Sequence, residues 1–527
     1  METIRPIRSF WPGIALLSAM LATLLAPTTV LADPADIDAA ARGVVRVLIV
    51  GADGDELYPV SHGTGFAVGP ETIVTNAHVI EDMRRDPSLS IGLVPPEGGN
   101  SVYGRLIAVS DRNDLALVRT TAPMNLPPLT IAGNPDSESG SVTSVGYPMN
   151  VDRAQGLGTD DIFRAQPPVK STGFLSGRRP SRDFDTILHT APIARGNSGG
   201  PLVDNCGRVV GVNSFGADSE GADAEFFFAV STRELLPFLR ENGITPQING
   251  LPCRSLAEFD EAEQQRAERA MLAAQQEEIL RNDESRKRET EARRNAEFAV
   301  IAERENGMML AVVLLAVGLA SGFFAWNGKA GGDERQALVG GGITVLALAG
   351  SLFAWFARPG FNEIDERIGL AIEIEDETGQ AGRIGVIQSA TGGDLVCVIQ
   401  VERSRITTGE ATDVPINWSE DGCVNGRTQY GQLDGEWQRV LVPDTESVVS
   451  VASYDPADRE YRVDRYLLGR DSMAGLREAR GSFAAPACGT EGAATELGRK
   501  QAELLAMLPA SPNERLVYKC GPATEGS

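Results

Sequence analysis

The chain has 527 residues, 42% of them hydrophobic and 23% charged, which gives room for about three or four domain-sized units of ordinary globular composition. A formal net charge of −24 argues against a nucleic-acid partner, because phosphate binding needs a basic surface. The acidity identifies no other partner by itself, since acidic surfaces mostly serve solubility. Residues 1–32 read as a secretory signal: Arg5 and Arg8 give a positive start, Ile14 to Leu25 an apolar stretch, and Val30-Leu31-Ala32 a small-residue exit. An uncleaved anchor is the alternative, but Pro12 and Pro27 bracket a run too short to span comfortably, which favours cleavage after Ala32.

From about Val44 to Val230, short β-rich runs alternate with Gly, Pro and Asp. VVRVLIV, GTGFAVG, ETIVT, LSIGLVP, YGRLIAVS, LALVRT, SVTSVGY, VKSTGFLSG, TILHTA, GGPLVD, VVGVNSF and FFFAVST make roughly a dozen strands, spaced as in β-sandwiches or barrels. The amphipathic RELLPFLREN predicts a short helix ending at Gly243, and this first domain is bounded at 33–250. Residues 255–306 are then dense in Glu, Gln, Arg and Ala with hardly a helix breaker, which predicts a charged helical or coiled-coil stalk.

Two uncharged apolar stretches follow, 307–326 and 336–357, joined by a short loop at 327–335. At about 1.5 Å per residue a 20-residue helix spans roughly 30 Å, the thickness of a bilayer's hydrocarbon core, so both are expected to be transmembrane helices rather than buried core helices. Gly318 and Gly322 form a small-xxx-small pair for close helix packing, and Phe324, Trp326, Phe353 and Trp355 gather at the ends as interfacial aromatics. Such a hairpin returns the chain to its starting side, so the first domain and the C-terminal region are expected outside the cytoplasm, periplasmic if the source is a Gram-negative bacterium. The arginines before the first span oppose that orientation mildly, yet large domains translocate largely regardless of charge. Residues 361–527 read as a separate β-rich domain (GLAIEIE, GRIGVIQ, DLVCVIQVE, RVLVP, SVVSVASY, YRVDRYLL) broken by one helix near Ala493 to Met507, and are expected to bind or sense. Six cysteines predict three disulfides in an exported chain. They allow 15 connectivities, of which sequence proximity favours 206–253, 397–423 and 488–520.

Only three histidines are present, so the choice of a general base is narrow. His62 precedes an apolar strand and His189 lies within one, whereas His78, in Thr-Asn-Ala-His-Val, ends a strand where a side chain can face a cleft. Ser198 sits in Gly196-Asn-Ser-Gly-Gly-Pro201, where flanking glycines allow tight turning and the N–H groups of Gly196 and Ser198 can converge on one oxygen. Asp114, in Asn-Asp-Leu-Ala-Leu-Val, opens a buried-looking strand. Each feature alone is weak: a lone histidine is usually structural, a glycine-rich turn common, and an aspartate at a strand mouth often a cap. Together, in the order His, Asp, Ser, they are a strong signal for acyl transfer by serine.

On GTGFAV at 63–68, TNAHV at 75–79, NDLALV at 113–118, VGYP at 145–148, STGFLSG at 171–177 and GNSGGPLVD at 196–204, the region from about 44 to 240 resembles the trypsin-like serine proteases, most closely their HtrA/Deg branch. The resemblance implies a chymotrypsin-like double six-stranded β-barrel with a cleft between barrels, in which His78 is the general base, Asp114 its orienting partner and Ser198 the nucleophile. It also implies an oxyanion hole at Gly196 and Ser198, and Ile193 lining a pocket for a small or medium apolar residue, which Phe226 to Phe228 could narrow. Asn197 replaces the aspartate that pairs with a newly cut N-terminus in digestive trypsins, so activation of that kind is not expected. No PDZ domain is recognisable after residue 250. The expected activity is serine endopeptidase, acting on exported or membrane proteins or peptides without metal or cofactor. The competing expectation is a membrane-anchored binding or sensing protein whose protease-like fold is idle. A metalloprotease lacks its HExxH, and Cys206 has no histidine placed to activate it.

Overall fold

A computed structural model describes residues 34–54, 56–133, 140–180, 184–216, 226–361, 363–369, 393–409, 411–433 and 435–523. The expected signal segment, the expected strand GRIGVIQ and GLAIEIE after its first residue lie outside the described residues. Two units are present, one made of the chain up to Glu263 together with Thr391 onward, the other of Gln264–Ala390.

The twelve β-rich runs become the strands of two barrels. Strands β1 (Val44–Asp53), β2 (Glu56–Gly69), β3 (Thr72–Thr75), β4 (Ser90–Val94), β5 (Val102–Ser110) and β6 (Leu115–Thr120) close in the order β1-β2-β3-β6-β5-β4. After the two-residue β7 (Ile131–Ala132), a second ring forms from β8 (Gly140–Gly146), β9 (Val169–Pro180), β10 (Asp185–His189), β11 (Pro201–Val203), β12 (Val209–Gly216) and β13 (Phe227–Ser231). It runs β8-β9-β10-β13-β12-β11 and closes by pairing β11 with β8, while β7 and β14 (Ile248–Asn249) extend it beside β12. Closure leaves no open edge on either ring.

Each barrel has its own apolar filling. Val47, Ile49, Ala67, Ile73, Leu93 and Val118 pack in the first, and Val142, Ile187, Leu202, Val210 and Ala229 in the second. A third cluster joins Val44, Phe66 and Leu115 to Val145, Val212 and Val230 and to Leu235 and Leu239 of helix α5 (Thr232–Glu241). Each such side chain contributes about 1.5–3 kcal/mol on full burial. That shared core is what fixes one barrel against the other, and so fixes the cleft between them. Before α5 come α1 (Pro34–Ala41), α2 (Glu81–Arg85), α3 (Met149–Ala154) and α4 (Thr159–Ile162).

Beyond the barrels the stalk and first apolar stretch form one unbroken helix, α6 (Leu256–Ala330), and the second stretch forms α7 (Glu334–Phe356). Nothing between Asn306 and Gly307 interrupts the backbone ladder, and residues 331–333 connect the two helices. Ser255 and Glu258 start α6 with reciprocal backbone bonds of 3.0 and 3.2 Å, and the Asp333 side chain caps α7. Both helices are long and apolar enough to cross a membrane, by length and composition. The expected close approach is present. Ala347 lies against Gly318, and Ser321 Oγ and Thr344 Oγ1 are 3.0 Å apart.

The C-terminal region is a nine-stranded, nearly closed barrel: β15 (Gly393–Ile399), β16 (Val414–Trp418), β17 (Cys423–Val424), β18 (Thr428–Gln429), β19 (Gly431–Leu433), β20 (Glu436–Leu441), β21 (Val448–Asp455), β22 (Glu460–Leu467) and β23 (Glu514–Pro522). Among the described residues from 393 onward, two helices accompany it rather than the one expected, α8 (Arg470–Gly481) and α9 (Ala493–Leu505). This barrel packs on α1. The buried Asp36 carboxylate accepts from the Arg405 guanidinium and, at 3.0 Å, from Asn513 Nδ2, and Asn249 Nδ2 donates to the Ile406 carbonyl at 2.9 Å.

Disulfide 206–253 forms as expected, but the other two pairings are corrected to 397–520 and 423–488. The reason is register: β15 and β23 are antiparallel neighbours with Cys397 directly opposite Cys520. Cross-strand neighbours outrank sequence neighbours.

Candidate active site

His78 begins a 3₁₀ turn (His78–Ile80) just after β3, and Asp114 occupies the turn between β5 and β6. Asp114 holds φ at +52°, a left-handed conformation that aspartate tolerates better than most residues. Its neighbour Asn113 is bonded to Glu234 of α5 at 2.9 Å, and the Asp114 carbonyl accepts from Asn76 Nδ2 at 2.8 Å. The turn is thus held from both sides. Its carboxylate accepts from the His78 amide at 3.1 Å and lies 3.0 and 2.9 Å from His78 Nδ1 through Oδ1 and Oδ2. A carboxylate can only accept, so in the neutral imidazole Nδ1 carries the proton and Nε2 keeps its lone pair.

The second barrel supplies the serine. Ser198 Oγ donates to the Ser214 carbonyl at 3.0 Å, while Ser214 Oγ donates to Asp114 Oδ2 at 2.5 Å. Ser214, which no local sequence signal marks, therefore ties the serine hydroxyl and the aspartate to one point on β12. His78, Asp114 and Ser198 are brought to the same inter-barrel edge. The hydroxyl is turned to Ser214 rather than to His78.

The loop around Ser198 is shaped by its glycines. Gly196 has φ +101° and Gly199 φ +85°, and a Cβ on either would fall 2.2 Å from a carbonyl oxygen, of Tyr147 and Thr64 respectively. Thr64 stitches this loop to the first barrel: its amide donates to the Ser198 carbonyl at 2.8 Å and its hydroxyl to the Gly196 carbonyl at 2.6 Å. The Arg195 carbonyl accepts from the Met149 amide at 2.8 Å. In a planar trans peptide the C=O and the following N–H point opposite ways, so the Gly196 N–H faces away from Met149. The amides of Asn197, Gly199 and Gly200 are spent on backbone carbonyls, whereas those of Gly196 and Ser198 donate to no backbone carbonyl among the described residues. Two amide donors are left beside a serine hydroxyl.

A family model for the trypsin-like peptidase domain matches residues 63–212, which hold all three of these residues. Residues 63–212 form a trypsin-like peptidase domain. Over 208 residues this chain is 32% identical to the mitochondrial serine protease HTRA2 of Bos taurus, covering 38% of this chain and 41% of that one. It is 31% identical over 185 residues to serine protease HTRA1B of Danio rerio, 35% of each chain, and 28% identical over 205 residues to serine protease MT3772 of Mycobacterium tuberculosis (strain CDC 1551 / Oshkosh), 37% of this chain and 46% of that one. The peptidase region is thus distantly homologous to HtrA-family serine proteases, and the chain spans less than half the length of these relatives.

Within the peptidase domain, Ile193 is half-buried on the segment leading to Ser198. On β12 and β13, Gly216 pairs with Phe227, whose ring lies where a Gly216 Cβ would make a 3.3 Å contact, and Phe215 stacks on Phe228 at 4.9 Å. The other two histidines lie off this edge. His189 is fully buried among the second barrel's apolar side chains. His62 is held behind the serine loop, 3.2 Å from the Tyr147 carbonyl and 3.5 Å from Asp152 Oδ2, and burial followed by nearby Arg46 keeps its pKa below the ordinary value. Among the described residues, no group of three or more His, Cys, Asp or Glu side chains converges as a metal site would require.

Proposed function

We propose that the chain is a membrane-anchored serine endopeptidase, cleaving exported or membrane proteins through His78, Asp114 and Ser198. Ser198 Oγ leaves the Ser214 carbonyl by rotation about its Cα–Cβ bond and passes its proton to His78 Nε2 as it attacks the substrate carbonyl carbon. The resulting oxyanion is received by the Gly196 and Ser198 amides. Collapse expels the amine, which takes the proton from His78, and water then resolves the acyl-enzyme by the same steps. The observation that carries this reading is the His78–Asp114 contact of 2.9 Å, which leaves Nε2 as a base, with Ser214 bridging Asp114 to Ser198. Ile193 and Phe227 support a pocket for small or medium apolar side chains.

Anchoring is supported by exposure. Phe353 and Phe356 are 76% and 79% exposed and Leu319 67%, a surface that water disfavours and lipid accepts. Three disulfides, one in the peptidase region and two in the C-terminal barrel, support an extracytoplasmic location for both.

The full chain in detergent should cleave unfolded casein, and Ser198→Ala should lower turnover by on the order of a million-fold. One observation favours the idle binding or sensing reading, namely the serine hydroxyl bonded to Ser214 instead of His78. Casein left intact by well-folded wild type would decide for it.

A further inference from the structure

Arg46 interrupts the apolar run of β1 and is 1% exposed, one of the largest fully buried side chains in the molecule. Its guanidinium is paired with Asp152 of α3 at 3.0 Å, donates to Gln166 Oε1 at 3.2 Å, and stands 4.7 Å above the Tyr147 ring. Tyr147 OH in turn donates to the Gln166 carbonyl at 3.1 Å. Asp152, itself 8% exposed, lies 3.5 Å from His62 Nε2 through its second oxygen.

The position of this cluster is informative. Tyr147, Met149 and Asp152 belong to the stretch that leaves β8, and the Met149 amide is the group that holds the Arg195 carbonyl. The Tyr147 carbonyl and His62 Nε2 also wall the space beside Gly196, 2.2 and 2.9 Å from where a Cβ there would sit. A buried ion pair is weak as a stabiliser, since apolar side chains of similar volume often do as well, but it fixes two segments in one relative geometry. Here the segments are β1 of the first barrel and the stretch that orients the Arg195–Gly196 peptide.

We propose that Arg46 and Asp152 are positioning residues for the oxyanion hole: their ion pair seats the 147–152 segment so that Met149 keeps the Arg195 carbonyl turned back and the Gly196 N–H turned toward the substrate oxygen. The proposal deepens the endopeptidase reading and rests on it. Without the pair the peptide can flip, withdrawing one donor while leaving the His78–Asp114 contact and the substrate groove in place.

The test uses the full chain in detergent with a chromogenic peptide and a peptide boronate, whose tetrahedral adduct on Ser198 carries the oxyanion. Arg46→Met, Asp152→Asn and the charge-free double Arg46→Met/Asp152→Leu should each lower kcat by about 100- to 1000-fold, the range for losing one oxyanion donor, with KM within about threefold of wild type. Boronate affinity should fall in step with kcat/KM, and Asp152→Glu, which keeps the carboxylate, should recover part of both. The double variant guards against misfolding, since it leaves no unpaired buried charge. A double variant with wild-type kcat and boronate affinity would overturn the proposal, as would kcat, KM and melting temperature declining together in every variant. If wild type neither turns over nor binds boronate at Ser198, the endopeptidase reading has failed, and this proposal falls with it.

Discussion

His189 lies on β10 with its ring directed among apolar side chains, 5.9 Å from the Phe227 ring, and neither nitrogen makes a well-formed hydrogen bond. Burial drives its pKa down to about 4, offset only in part by the Ala191 backbone. The unfolded chain takes up a proton near pH 6.5 and the folded chain near 4, so the folded state is at full stability above about pH 6.5 and loses it as the pH falls between those values. The loss is on the order of 3 kcal/mol, and His62, shifted in the same direction, adds to it. Urea unfolding at pH 7 and pH 4.5 should show this drop in wild type and a smaller one in His189→Leu. Equal drops would mean that His189 does not titrate with folding. At the same scale, Phe227, paired with Gly216, is proposed to line the pocket for the cleaved residue. Phe227→Ala should shift cleavage of a peptide library from small apolar toward larger residues at the cleaved position. An unchanged profile would move the pocket elsewhere.

Among the elements, α9 shows how close packing constrains sequence. A Cβ on Gly498 would lie 2.2 Å from the Gln432 carbonyl oxygen on β19, whereas Gly481 at the end of α8 faces open space. Gly498→Ala should therefore cost about 1–3 kcal/mol and Gly481→Ala almost nothing, measured as melting-temperature shifts. A neutral Gly498→Ala would mean that α9 is not seated on the barrel. The same elements show what the sequence made legible. All twelve principal strands of the two peptidase barrels are legible in the sequence, because each is a short apolar run and most are bounded by Gly, Pro, Asp or Asn. In the last barrel, β17 to β19 are two or three residues long, too short for any alternation to register, and α8 was missed because its apolar face is confined to Met473 and Leu476. The Cys397–Cys520 pairing spans 123 residues and is set by cross-strand register, which spacing along the chain cannot reveal. The site divides likewise. His78, Asp114 and Ser198 stand in motifs, while Ser214, Met149, Arg46 and Asp152 acquire their roles only through tertiary placement.

For the whole molecule, the arrangement described is a peptidase domain and a C-terminal barrel bound through the buried Asp36–Arg405 pair, with a helical pair carried between them in the sequence. Removing one partner of such a pair strands a buried charge, which makes Asp36 a structural commitment between the N-terminal helix and the last domain. The helical pair predicts behaviour in detergent. The full chain should resist carbonate extraction and partition into a detergent phase, and a chain lacking 307–357 should move to the aqueous phase. A full chain released by carbonate would remove the membrane from the account. The reading as a whole turns on whether one hydroxyl in the folded protein is an activated nucleophile. Treating the intact chain with a fluorophosphonate and mapping the adduct by peptide mass spectrometry tests this most directly. A single phosphonylated residue, Ser198, is expected, with the adduct lost in His78→Ala. An unlabelled Ser198, or labelling undiminished without His78, would contradict the endopeptidase reading.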